Sequence, residues 1–207
     1  EIAVRHYSLP EAYASGASVG MDTAEVRTNY DACHGFCDFQ KALYGGGELS
    51  YETDLGVRGG SSTATYYVSG LTKYDNGLML NTGYNKQAIR ANLSANLTPT
   101  LSASVTLGYA SSLTRTGVNG NDNYGIAGYD IISYTPSWFD MAAHNPDGSY
   151  VDNPFGTANA LADAHEIQTP DEVNRFTGGV TLNWKVLTTR ANAIEAVVQG
   201  GADVVNE

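Results

Sequence analysis

Between Ala88 and Leu97 apolar and polar positions alternate without a break. Ile89, Ala91, Leu93, Ala95 and Leu97 fall on one side, and Ala88, Arg90, Asn92, Ser94 and Asn96 fall on the other. A period of two sends successive side chains to opposite faces of a strand, so this stretch predicts a strand with one apolar face. After Thr98-Pro99-Thr100 the pattern resumes with Leu101, Ala103, Val105, Leu107 and Tyr109 against Ser102, Ser104, Thr106 and Gly108. Two such runs joined by a short turn predict a hairpin. Four further strands follow from the same reading. Leu49, Tyr51, Leu55 and Val57 share one face, as do Ala64, Tyr66, Val68 and Gly70. Phe176, Gly178, Val180, Leu182 and Trp184 make a fifth set, and Ile194, Ala196 and Val198 a weaker sixth.

The connections sort by length. Gly59-Gly60-Ser61-Ser62, Thr98-Pro99-Thr100 and the region of Leu187-Thr188-Thr189 are short. The segments 1–47, 75–86 and 115–174 are long and polar. Short turns at one end and long loops at the other mark an up-and-down transmembrane barrel, short ends toward the periplasm and long ones outside. Strands of about ten residues also meet the membrane requirement. The expected fold is therefore all-β, an antiparallel up-and-down meander forming part of a transmembrane β-barrel with long extracellular loops. Its expected divisions are a loop region (1–47), four strands (48–110), a long extracellular loop (111–174) and two strands (175–205). Glu48, Glu52, Asp54, Arg58, Arg90, Arg175 and Lys185 lie on the polar face, where a large barrel has its wet lumen. Tyr51, Tyr74, Tyr84, Tyr109 and Trp184 lie near strand ends, as an interfacial aromatic girdle requires.

Composition agrees with strands and turns: of 207 residues 23 are Gly and 14 Tyr, and charged residues make up 16%. The net charge of −11 makes nucleic acid an unfavourable partner. No apolar run is long enough for a transmembrane helix, a test that alternating barrel strands never meet either. The chain starts at Glu1 with no signal peptide, which processing or truncation explains equally well.

Candidate chemistry is sparse. Cys33 and Cys37, in Cys-His-Gly-Phe-Cys, fit a small disulfide ring, reduced thiols, or a metal site with His34. His6, His34, His144 and His165 show no catalytic or metal-ligand spacing. Asn119 to Asn123 and Asp147 to Asp152 offer closely spaced oxygens, with Asp122, Asp147 and Asp152 as weak Ca²⁺ candidates. Neither completes an EF-hand loop, and Asn-Gly and Asp-Gly are ordinary turn formers. No resident cofactor is expected otherwise. The sequons at Asn92 and Asn96 fall on a strand's polar face and carry no weight. In the longest loop Tyr124, Tyr129, Tyr134, Trp138 and Tyr150 could form a substrate-binding surface or pack upon themselves. A short helix is expected over 163–171, with Pro170 near its end.

Several of these stretches are familiar in order. Thr65-Tyr66-Tyr67-Val68-Ser69-Gly70, Asp75-Asn76-Gly77, Asn81-Thr82-Gly83-Tyr84-Asn85-Lys86 and Ile89-Arg90-Ala91-Asn92-Leu93 together resemble SusC/RagA-like TonB-dependent receptors. Leu49-Ser50-Tyr51-Glu52, Gly59-Gly60-Ser61 and Asn153-Pro154-Phe155 match the same style, so the resemblance spans roughly 45–185. It implies an outer-membrane importer of bulky nutrients such as oligosaccharides or peptides, not an enzyme. Such receptors have a plugged barrel of about 22 strands, are powered through the TonB system, and pair with a SusD-like surface lipoprotein. No plug or TonB box is recognisable, and six strands fall short of the roughly eight that close a membrane barrel.

Three functions are thus in play. The first is a segment of a nutrient-import receptor in outer-membrane lipid. The second is a soluble or filament-forming β protein that self-associates through open strand edges. The third is a hydrolase with a loop-borne site, for which no ordered constellation speaks.

Overall fold

The computed structural model describes residues 5–118, 128–156, 158–189 and 191–207. Its framework is one six-stranded sheet in the order β1-β2-β3-β4-β5-β6, so every strand pairs with its neighbours in sequence. The strands are β1 Tyr51–Gly60, β2 Ala64–Asn76, β3 Gly83–Asn96, β4 Leu101–Thr116, β5 Thr169–Thr188 and β6 Ala193–Asn206. The fold is the expected antiparallel up-and-down meander.

Register follows the alternation. In β1 and β2, Leu55 stands opposite Gly70, Val57 opposite Val68 and Gly59 opposite Tyr66. In β5 and β6, Leu182 pairs with Val198 and Phe176 with Val204. A one-residue slip would turn these side chains to the polar face, so the two-residue pattern itself specifies the pairing. In the β5–β6 pair the register shifts between Lys185 and Leu187, at a bulge beside the last turn. The three turns are tight: Ser61 N donates to Ala64 O at 2.7 Å, Leu97 N to Leu101 O at 2.8 Å and Thr189 N to Asn192 O at 2.7 Å.

Two glycines in β1 make room for tyrosines of β2. A Cβ on Gly59 would lie 2.6 Å from the Tyr66 hydroxyl, and one on Gly56 2.9 Å from that of Tyr67. Each ring covers a bare stretch of neighbouring backbone, one ring on each face of the sheet.

The strands outrun their expected limits at the long-loop end, since β4 continues to Thr116 and β5 begins at Thr169. The segment expected as a loop at 1–47 holds three helices: α1 Leu9–Ser18, α2 Thr23–Cys33 and α3 Phe39–Tyr44. Two more, α4 Gly128–Tyr134 and α5 Ala160–Glu166, lie within the long connection. The helix expected at 163–171 is thus displaced toward the N-terminus, and Pro170 falls near the start of β5, where a missing N–H is tolerated. The starts of α1, α2 and α3 have local reasons. Glu11 Oε2 accepts from Ser8 N at 2.9 Å and from Ser8 Oγ at 2.7 Å; Asp22 accepts from Glu25 N and Asp38 from Lys41 N, both at 2.8 Å. At the end of α2, His34 (φ 51°) and Gly35 (φ 78°) take the left-handed turn that stops the helix.

The chain divides into two compact units. One is the strand unit, 49–75, 84–114 and 170–207. The other gathers the three long segments, 1–48, 76–83 and 115–169, around its own core. Trp138, Leu43, Ile131, Met141 and Val26 are fully buried there. Trp138 meets Phe155 edge-on at 5.6 Å and Phe139 at 6.3 Å. Gly16 lets α1 approach α2, since a Cβ would run into Val26. Two buried amides tie the loops together. Asn159 Nδ2 donates to Met141 O and Val151 O, both at 2.9 Å, while its Oδ1 accepts from Leu161 N and Ala162 N and caps α5. Asn153 Nδ2 donates to Thr135 Oγ1 at 2.7 Å and its Oδ1 accepts from Phe155 N.

Candidate functional site

The first candidate surface is the apolar face of the strand unit. Leu55, Val57, Val68, Ile89, Leu93, Leu107, Phe176, Val180, Leu182 and Trp184 are all exposed on it. A soluble sheet buries such a face, and a patch this large marks contact with something apolar. The face also has a consistent height. Ile89 to Leu97, Leu101 to Tyr109 and Phe176 to Trp184 each span eight residue steps, about 27 Å along a strand. With strands tilted at 35–45°, such a row rises about 19–22 Å, somewhat less than the apolar band of about 25 Å on a membrane barrel. Aromatic rings stand at its ends: Tyr51 beside Tyr74, with centroids 5.8 Å apart, and Tyr109 at the long-loop end, Tyr66 and Trp184 at the short-turn end. No helix among the described residues is long and apolar enough to cross a membrane, a test that does not address strands.

The opposite face is charged, and two of its cations are paired. Lys73 lies 3.4 Å from Glu52 and 3.1 Å from Asp75, and Arg175 grips Asp203 with both Nε, at 2.8 Å, and a terminal nitrogen. The net acidity lies elsewhere. The segments of the loop unit contain fourteen of the 22 acidic residues and four of the 11 basic ones, which leaves the strand unit nearly neutral.

The described loop residues singled out in the sequence differ in exposure. Trp138 is fully buried in the loop core, so it is a packing residue and not a contact for solute. Tyr129 (44% exposed) and Tyr134 (70%) project from α4. Tyr150 is half-buried; its ring lies 4.3 Å from that of His144, and its hydroxyl is 3.0 Å from His165 Nδ1. Tyr124 and Asp122 lie outside the described residues. His6 stacks on Phe36 with centroids 4.3 Å apart.

Cys33 and Cys37 form a disulfide with Cα atoms 4.9 Å apart. The ring it closes is held at several points: Tyr7 N donates to Gly35 O at 3.3 Å and Cys37 N to Ser137 O at 2.6 Å. Among the described residues one group, Cys33, Cys37 and Asp140, brings three ligand atoms within 4.8 Å of one another, but both sulfurs are in the disulfide. His34 ends α2 instead of joining that group. Asp147 is occupied by its own turn: Ser149 N (3.0 Å) and Oγ (2.7 Å) donate to Oδ1 and hold its carboxyl below the usual range. Asp152 is exposed.

The strand unit is thus an antiparallel six-stranded meander with one exposed apolar face. No protein-family model matches the chain. It is 27% identical over 145 residues to the TonB-dependent receptor P3 of Formosa agariphila, a match that covers 64% of this chain and 14% of that protein. The chain therefore spans about a seventh of the length of this curated relative.

Proposed function

We propose that the chain is a segment of a TonB-dependent outer-membrane receptor that imports bulky nutrients, oligosaccharide or peptide. The observation that carries this reading is the exposed apolar face, whose eight-step band recurs on three strands. The similarity to a protein named as a TonB-dependent receptor supports it independently. In this reading lipid covers the apolar face, the polar face lines the lumen, and the helical loop unit stands outside the cell. The remaining barrel strands and a plug come from the rest of a receptor, which engages the TonB system and, as a SusC-like member, a SusD-like lipoprotein. The protein's role is transport and not catalysis.

An epitope inserted between Asp147 and Gly148, in an exposed turn of the loop unit, tests the topology. Antibody binding to intact cells is the expected result, with the protein in the outer-membrane fraction. Binding only after permeabilisation would contradict it.

The outer edges of β1 and β6 have no strand partner among the described residues, which favours one alternative: association of sheets edge to edge in a soluble polymer. That reading leaves the apolar band unexplained.

A further inference from the structure

Apart from Lys185, beside the last short turn and opposite Glu195 in register, three described cations on the polar face make no ion pair: Arg58, Lys86 and Arg90. Lys86 and Arg90 lie four residues apart on that face of β3, about 13 Å along the strand. Arg58 lies on the same face of β1, opposite Tyr67 of β2. Among the described residues none of these three makes an ion pair, whereas Lys73 and Arg175 do. Lys86, Arg90 and Arg175 rim a hollow lined between them by the small residues Ser69, Ala88, Gly108 and Ala110, and Asp54 is the one carboxylate in its lining. Arg58, Asn92 and Ser94 line a second hollow, and Tyr67 borders both.

We propose that these hollows form a track for an elongated polyanionic solute, an oligomer with carboxylate or sulfate groups repeated along its length. The inference rests on the receptor reading, which sets the polar face against an aqueous lumen, and names a substrate class for it. An unpaired guanidinium or ammonium in a partly enclosed hollow gains most from a charge-assisted hydrogen bond to an oxyanion, and Arg adds a fork matched to carboxylate or sulfate. Separation of the cations along the strands favours a ligand with repeating charge over a single small ion. Small side chains between the cations let such a chain lie close to the sheet. The Tyr67 ring, steadied over Gly56, supplies an apolar platform between successive charges. Asp54 opposes the cations, so the excess of positive charge is small and binding depends on several contacts made together.

The test uses the full chain refolded in detergent micelles, its β content checked by circular dichroism. Binding of fluorescent hexagalacturonate and of neutral maltohexaose is followed by anisotropy at low and high salt. The acidic oligomer should bind at least about tenfold more tightly than the neutral one, and its affinity should fall steadily with salt. Combining Lys86→Ala with Arg90→Gln should weaken it about tenfold, while Lys185→Gln, opposite Glu195, should leave it unchanged. Arg58→Gln provides a second reading if the double variant does not refold. Equal binding of the two oligomers, binding indifferent to these substitutions, or competition by inorganic sulfate as effective as by the oligomer would each overturn the proposal. No binding by a correctly refolded, detergent-dispersed chain would overturn it too, with the receptor reading intact. A chain that is dispersed without detergent removes the receptor reading itself.

Discussion

The hydroxyl of Tyr109, on β4, donates to Asn174 Oδ1, on β5, across 2.9 Å. Both residues lie on the apolar face at its long-loop end, where the row Leu101, Ala103, Val105, Leu107 finishes in a ring with a polar tip. An amphipathic ring whose hydroxyl meets an amide is what the boundary between hydrocarbon and headgroups favours. Tyr109→Phe keeps the ring and loses the bond, so it should cost about 0.5–1.5 kcal/mol. Unfolding by urea in micelles measures this, and no loss would mean that the pair adds nothing beyond the ring.

Depth should follow the register. In a Trp184→Phe background, with the emission of the buried Trp138 subtracted, tryptophan placed at Val105 should be quenched most by lipids brominated near mid-chain. Tryptophan at Tyr109 should be quenched less. Equal quenching at the two positions would show that the face does not cross the bilayer.

The two faces should respond oppositely to charge. Arg in place of Leu93, in the middle of the apolar row, should cost about 2–4 kcal/mol in lipid. Arg in place of Thr106, on the polar face, should be tolerated. Comparable unfolding free energies for both variants would contradict the assignment of faces.

Gly59→Ala should destabilise the β1–β2 hairpin by about 1–3 kcal/mol, because the new methyl meets the Tyr66 ring. Tyr66→Ser in the same chain should remove most of that penalty, and a double-mutant cycle would read the coupling. Additive losses would mean that the glycine serves another purpose.

In the loop unit, Trp138→Ala should cost about 3–5 kcal/mol, while Tyr134→Ala, on an exposed side chain, should be nearly neutral. Resistance of the loop unit to protease distinguishes the two. Asp163 adds a pH dependence. Burial, and then the nearby Glu166, raise its carboxyl above the usual range. The folded chain therefore holds this proton more tightly than the unfolded one. Its contribution to stability is fully present below the unfolded pKa and is lost as pH rises through the folded one. Asp163→Asn should make the loop unit more protease-resistant than the parent at neutral pH, with the difference vanishing toward about pH 4. A difference that grows on acidification would reverse the assignment.

The strands were legible because alternation over eight or more positions, as in Ile89 to Leu97, rarely arises outside a sheet with one apolar face. The helices left fainter marks. Ser8 with Glu11, and Asp22 with Glu25, are helix-start signals, yet they sit in a stretch that offers no strand period and so reads as loop. The loop core was not legible at all. Val26, Leu43, Ile131 and Trp138 come from segments far apart in sequence, and no local pattern says that they meet. Trp138 looked like a binding residue for that reason, since an aromatic in a long loop can serve a ligand or a core. Of the proposed track, the sequence showed Arg58 and Arg90 on the polar face. What it could not show is which cations have partners, because Lys73 with Glu52 and Arg175 with Asp203 are paired by side chains across strands.

The measurement closest to the central claim is the state of the purified chain with and without detergent, by light scattering and circular dichroism. If lipid covers the apolar face, the chain will be β-rich and of defined size only in detergent or lipid, and will aggregate in plain buffer. A β-rich chain of defined size in plain buffer would contradict the account, because the face would then be covered by protein.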